Sequence, residues 1–152
     1  VENSSGKIEG KILSINLSKK KSVGKKPVGE GVVKKDHGFI GDAHAGDWHR
    51  QVSLLAMESI EKMKKMGLDV SPGDFAENIT TLGIDLLFLP LGAKLKIGGE
   101  VVLEISQKGK ECHTKCAIFR QVGECVMPAE GIFGRVLRGG KVKVGDKIEV
   151  LT

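Results

Sequence analysis

The chain has 152 residues, enough for one domain that buries its own core without disulfide or metal staples. With 40% hydrophobic and 28% charged residues it has the composition of a soluble globular protein, and no apolar run approaches the roughly 18–20 residues that a membrane span needs. The net charge of +5 comes without the aromatic partners of a nucleic-acid surface, since aromatics are 4% and Tyr is absent, so nucleic acid is not an expected partner.

The opening "VENSSGKIEG" shows no basic head followed by an apolar stretch, and it lacks an initiator Met, so the chain is read as processed or cut from a longer polypeptide. "GKIEGKILSINLS" (Gly6 to Ser18) brings Ile8, Ile12, Leu13, Ile15 and Leu17 in near alternation and reads as a strand. "KKKSVGKKPVG" (Lys19 to Gly29) holds five lysines and no acid. It reads as a solvated loop, or as a surface that attracts an anionic ligand or an acidic partner. "EGVVKKDHG" reads as a strand ending in a turn, and "QVSLLAMESIEKMKKMG" as a strand that becomes a helix. In that helix Ile60, Met63 and Lys64 fall at helical spacing and Gly67 is the stop signal.

"SPGDFAENITTLG" is turn-rich with an extended piece expected over Phe75–Thr81. "LPLGAKLKIGGEVVLEISQ" reads as a hairpin turned at Gly98-Gly99. "CHTKCAIFRQVG" is long enough for about two helical turns. "IFGRVLRGGKVKVGDKIEVL" gives two or three further strands. Seven or so strands punctuated by glycine, with two short helices and no composition break, predict a mainly β single domain. Its expected form is a closed or nearly closed barrel with a few short helices.

Four blocks carry candidate chemistry. "GFIGDAHAGDWHRQVSLLA" packs Asp42, His44, Asp47, His49 and Arg50 into nine residues. His44 and His49 are possible metal ligands, with Asp42 or Asp47 to complete or orient them; the plainer reading is a polar turn capped by Asp. In "PGDFAENITTLG" Glu77 and Asn78 precede the Thr-rich piece, and on their own they read as a turn entering a strand. In "VMPAEGIFGRVLRGG" Glu130 and Arg135 suit an anionic cofactor or a pair of surface charges.

"GKECHTKCAIF" sets Cys112 and Cys116 four residues apart, with His113 beside the first; Cys125 is the third and last cysteine. An odd, clustered count argues against a secreted disulfide framework and for a reducing, cytoplasmic setting. Lys108, Lys110, His113 and Lys115 surround Cys112 with positive or potential charge, which favours the thiolate. A helix beginning there would add its dipole, and Cys116 could then serve as a resolving thiol. Three readings stay open: a reactive thiol, a metal site using Cys112, Cys116, Cys125 and His113, or inert core cysteines.

Together the blocks "GDAHAGDWHRQVSLL", "PGDFAENITTLGIDLLFLPLGAKLKIGGEVVLEISQ", "KECHTKC" and "EGIFGRVLRGGKVKVGDKIEV" resemble one family in order and spacing. It is the MOSC domain family, named for the C-terminal domain of molybdenum-cofactor sulfurase, and the likeness is strongest to its small stand-alone bacterial members. The resemblance implies a MOSC-type β-barrel across residues 1–152 that carries sulfur as a persulfide on a cysteine, a sulfurtransferase-like activity. It also implies binding of the molybdenum cofactor, with the cysteine sulfur ligating molybdenum; pyridoxal phosphate is associated only at the level of the family.

The family's "VTQ…PC"-like run corresponds to "ISQKGKEC", with Gln107 five residues before Cys112, so the sulfur carrier, and any molybdenum ligand, falls on Cys112. Glu111 stands where proline is usual, and Cys116 is the second candidate. The expected cofactor-binding residues are Asp42, His44, His49, Arg50, Glu77, Asn78, Lys110 and Arg135, with His113 supporting the thiolate and the acidic-histidine and Glu-Asn blocks lining the pocket that faces the cysteine. Expected partners are a cysteine desulfurase or another sulfur donor, and molybdenum-cofactor biosynthesis proteins or molybdoenzymes. The alternative is a non-catalytic module holding zinc or molybdenum cofactor for a partner.

Overall fold

The computed structural model describes residues 8–20, 24–109 and 130–151. Eleven strands, one α-helix and a single 3-10 turn are present among them. In chain order the strands are β1 (Glu9–Leu17), β2 (Lys26–Val28), β3 (Glu30–Lys34), β4 (Gly38–Phe39), β5 (Val52–Ala56), β6 (Ile79–Leu82), β7 (Lys94–Ile97), β8 (Val101–Lys108), β9 (Ile132–Arg138), β10 (Gly140–Lys143) and β11 (Lys147–Leu151). Helix α1 (Met57–Lys65) follows β5 without a break, and the 3-10 turn occupies Leu86–Phe88.

Seven strands close on themselves in the order β1, β11, β7, β8, β9, β5, β6 and back to β1, and β2 extends the sheet beyond β1. The expected barrel is therefore observed. Closure leaves those seven strands without a free edge, which removes the usual route to edge-to-edge aggregation. β10, β3 and β4 form a separate three-stranded sheet. Neighbours in the barrel are antiparallel except β5 and β6, which run parallel with Leu54 opposite Ile79. Parallel neighbours need a crossover, and α1 supplies it.

Strand β1 shows how the local sequence sets the barrel wall. Its pairing with β6 shifts register between Ile12 and Ser14, so Ile12 and Ile15 are both buried although they are three residues apart. They join Val52, Leu54, Ile79, Leu95, Leu103, Ile132 and Ile148 in the barrel core. A second apolar cluster lies under the helix, where Ile60 and Met63 meet Leu55, Leu68, Val70, Phe75 and Phe133. Glu58 in the first turn of α1 and Lys62, Lys64 and Lys65 in the last complement the helix dipole. Gly67, at φ +96°, ends the helix as expected.

Two expectations need correction. The piece read as extended from Phe75 is a loop as far as Asn78, and the strand begins only at Ile79, because Phe75 turns into the cluster beneath α1. The lysine-rich stretch is not wholly a solvated loop: Lys26–Val28 pairs with β1, and Lys25 is buried at 3% exposure. Ile60, Met63 and Lys64 lie on the expected helix, with Lys64 exposed. The helix expected over "CHTKCAIFRQVG" lies outside the described residues.

Candidate functional site

Two of the sequence blocks meet where β1 ends and β6 begins. Their link is Lys25. Its ammonium lies 2.9 Å from Asp42 Oδ1, with both side chains fully buried, and 2.9 Å from Nδ1 of His44. The Asp42 carboxylate is held on both oxygens: Oδ1 also accepts the Ser18 N–H at 3.0 Å, and Oδ2 accepts the His44 N–H at 3.1 Å. Burial by itself would raise the Asp42 pKa, but the bond from Lys25, the Ser18 N–H, the Lys25 charge and Asn78 outweigh it and hold the carboxyl below its ordinary value. The result is a buried ion pair whose carboxylate accepts three hydrogen bonds.

The position of Lys25 depends on one glycine. Its N–H donates to the Gly73 carbonyl at 2.7 Å. Gly73 has φ +94°, and a Cβ there would come within 2.1 Å of the Lys25 carbonyl oxygen. Only glycine allows the two backbones this close.

Behind the pair, Glu77 and Asn78 tie β1, β5 and β6 together. Asn78 exchanges bonds with Ser53: its Oδ1 accepts the Ser53 N–H at 3.0 Å, and its own N–H donates to the Ser53 carbonyl at 3.0 Å. Asn16 on β1 donates through Nδ2 to the Glu77 carbonyl and to Thr80 Oγ1, both at 3.1 Å, while Ser14 donates to its Oδ1 at 2.7 Å. Glu77 accepts the Thr80 hydroxyl at 2.6 Å and the Gly73 N–H at 3.0 Å, both on Oε2. Its Oε1 is buried without a hydrogen-bond partner.

Burial pushes the Glu77 pKa up, against the pull of Thr80 and Gly73. The proton of a neutral Glu77 belongs on Oε1, since both donors aim at Oε2. The residue preceding it, Ala76, sits at φ +65°, a left-handed conformation that turns the chain into this knot. Both Glu77 and Asn78 are 0% exposed, so their visible contribution is to hold the site together rather than to present a surface.

The remaining expected residues are more dispersed. His49 is exposed, its ring 5.7 Å from that of Trp48 in an edge-on arrangement, and its carbonyl accepts the Ser106 hydroxyl. Arg50 places its guanidinium 4.6 Å from the Trp48 ring centre and 5.8 Å from that of Phe133, and its Nε is buried without a partner. Arg135, a third exposed, meets Asp47 at 2.8 Å. Among the described residues no three His, Cys, Asp or Glu side chains form a metal-binding group.

Cys112, His113, Cys116 and Lys110 lie outside the described residues, as does Cys125. What is described is where their segment leaves and returns. Gln107 Nε2 donates to the Gly109 carbonyl at 2.6 Å, and the Gly109 N–H donates to the Gly131 carbonyl at 2.6 Å, so the two ends of the β8–β9 connection are clamped together. Lys108, expected beside the thiolate, donates to the Leu87 carbonyl at 3.0 Å.

Close to this clamp is a pocket of about 300 Å³ whose lining includes Glu58, Ser59, Lys62, Asp85, Leu87 and Glu130. There Glu130 accepts the Ser59 hydroxyl at 2.6 Å and the Lys62 ammonium at 2.8 Å. Burial alone would raise the Glu130 pKa, but Lys62 and Ser59 bring it below the ordinary value. Glu130 and Arg135, proposed from sequence as an anion-binding pair, thus serve different partners.

Sequence reasoning missed Lys25, Asn16, Ser53 and Thr80. Asn16 left a trace, since Asn is depleted within strands and here lies between Ile15 and Leu17. Nothing in a run of lysines singles out the buried one.

Comparison with known proteins agrees with the observed fold. The YuaD protein from Bacillus subtilis shares the fold with a TM-score of 0.78 at 21% identity, over 93% of this chain and 95% of that one. YiiM from Geobacillus stearothermophilus follows at TM-score 0.70 and 22% identity, covering 94% of this chain and 75% of its own. YiiM from Escherichia coli matches at 0.66 and 19%, covering 96% and 71%. No match was found among curated proteins. The MOSC domain family matches residues 41–149, a span that begins beside Asp42 and takes in β5, α1, the cysteine segment and β9, and the chain belongs to that family.

Proposed function

We propose that the protein is a sulfur carrier that also binds the molybdenum cofactor, with Cys112 as the carrier. The supporting observation is membership of the MOSC family across a stretch that includes Cys112, combined with the clamp at Gly109. Cys112 is three steps along the chain from Gly109, so chain length alone keeps its Cα within about 11 Å of the clamp. The loading step is thiol exchange: the Cys112 thiolate attacks the outer sulfur of a donor persulfide, a new S–S bond forms, and the donor leaves as its thiolate. Lys110 and His113, adjacent in sequence, favour the thiolate form. A cysteine desulfurase is the fitting donor, and a molybdoenzyme or a protein of cofactor biosynthesis the fitting recipient.

The residues present fit the molybdenum cofactor at its anionic end. Arg50 has a buried Nε without a partner and Arg135 is partly exposed, so these two would hold the phosphate. When bound, the cofactor would supply a molybdenum centre with Cys112 as its thiolate ligand. Asp42, His44, Glu77 and Asn78 would fix the loop that carries His49 and Arg50. Persulfide loading of the Cys112→Ala and Cys116→Ala variants tests the assignment. Loss in the first with retention in the second is expected; the reverse would move the carrier to Cys116. Stoichiometric zinc bound through the cysteines would instead favour a non-catalytic metal module.

A further inference from the structure

We propose that Lys25 is a positioning residue that holds His44 as the neutral imidazole protonated on Nε2. The side chains of Lys25 and Asp42 are fully buried 2.9 Å apart, so Lys25 carries its proton; as a neutral amine it would leave the carboxylate unpaired inside the protein. The same ammonium reaches Nδ1 of His44 at 2.9 Å. An ammonium has three donors and no acceptor, so Nδ1 must accept. A neutral ring that accepts on Nδ1 carries its hydrogen on Nε2.

The backbone around the ring is fixed as well. The His44 N–H is bound by Asp42 Oδ2 at 3.1 Å, and the His44 carbonyl accepts the Trp48 indole N–H at 2.8 Å. Lys25 and Asp42 are the charged groups that the described contacts bring to His44. Protonation on Nδ1 would set an N–H against an ammonium, so the pair disfavours the imidazolium as well as the other tautomer.

His44, a partly exposed side chain, then carries its ring hydrogen in a fixed place, on Nε2. An Nε2–H suits a hydrogen-bond acceptor, such as a persulfide sulfur or a phosphate oxygen. That use of the donor rests on the sulfur-carrier reading; the tautomer does not. It also makes Nδ1 of His44 unavailable as a metal ligand, which narrows the His44–His49 pair considered from sequence.

Long-range nitrogen–proton correlation NMR on histidine-labelled protein at neutral pH reads the tautomer directly, with His44 assigned by loss of its signals in His44→Gln. The expected pattern is a protonated Nε2 and a hydrogen-bonded, unprotonated Nδ1. In Lys25→Met the ring should relax to a mixture of tautomers. Should that variant fail to fold, Lys25→Met with Asp42→Asn removes the stranded carboxylate and gives the same readout. An Nδ1-protonated or imidazolium ring in the unaltered protein overturns the proposal, as does a spectrum that either variant leaves unchanged. No sulfur is loaded in this experiment, so failure of Cys112 to accept sulfur would leave its outcome intact.

Discussion

Two ion pairs of nearly equal length sit in opposite surroundings. Lys25 and Asp42 are 2.9 Å apart with both side chains at 0% exposure; Lys62 and Glu130 are 2.8 Å apart with Lys62 at 60% and Glu130 at 18%. Distance does not separate them, but burial does. Water stands in for either partner of the second pair when the other is removed. No water does so for the first, which lies at a junction of four chain segments: the end of β1, the Lys25 turn, the His44 loop and the Gly73–Asn78 loop. The buried pair therefore organises the candidate site, whereas the other decorates the mouth of the α1 pocket.

Removing one partner from each pair gives the sharpest contrast. Lys25→Met strands a buried carboxylate and is expected to cost about 3–5 kcal/mol in denaturant unfolding, with the Asp42→Asn double variant recovering part of the loss. Next comes Gly73→Ala, which drives a Cβ to 2.1 Å from the Lys25 carbonyl at φ +94°. A loss of about 2 kcal/mol or more is expected there, together with loss of the His44 signature. Lys62→Ala should cost less than about 1 kcal/mol, because the pair is largely solvated. A loss for Lys62→Ala equal to that for Lys25→Met would show that burial does not set the two pairs apart.

The two buried carboxyls titrate in opposite senses. Asp42 has a folded pKa below its ordinary 3.8, so its contribution is full above about that pH and is lost as pH falls through the depressed value. Glu77 has a folded pKa above its ordinary 4.5, so the folded state holds the proton more tightly. Its contribution is full below that pH and declines as pH rises through the raised value. Glu77→Gln should flatten the decline of stability on the alkaline side of 4.5 and leave the acid limb to Asp42. An unchanged alkaline slope would show that Glu77 is ionised in the folded protein. The smallest expected effect belongs to Ala76→Gly: relief of the left-handed conformation at φ +65° should raise stability by up to about 1 kcal/mol.

Much of the fold was legible because its signals are local. β5 and α1 announce themselves where "QVSLLA" changes to the helical spacing of Ile60 and Met63, and the β7–β8 hairpin by Gly98-Gly99. β2 and β4, of three and two residues, are too short to carry a period and exist only because partners lie beside them. At the site, Asp42 and His44 were legible as residues, but their partner was not. A buried lysine requires an acid delivered from elsewhere in the chain, and the sequence separation of 17 between Lys25 and Asp42 shows no trace of the contact. Glu77 and Asn78 were read as pocket residues; their burial depends on Asn16 and Thr80, which only tertiary pairing supplies.

A sulfur carrier is defined by the residue on which the sulfur resides. Mass spectrometry of the protein after incubation with a cysteine desulfurase and cysteine, followed by peptide mapping, measures it directly. A gain of one sulfur atom is expected on the peptide containing Cys112, localised to that residue. Absence of any gain, or a gain that maps to Cys116 or Cys125, would contradict it.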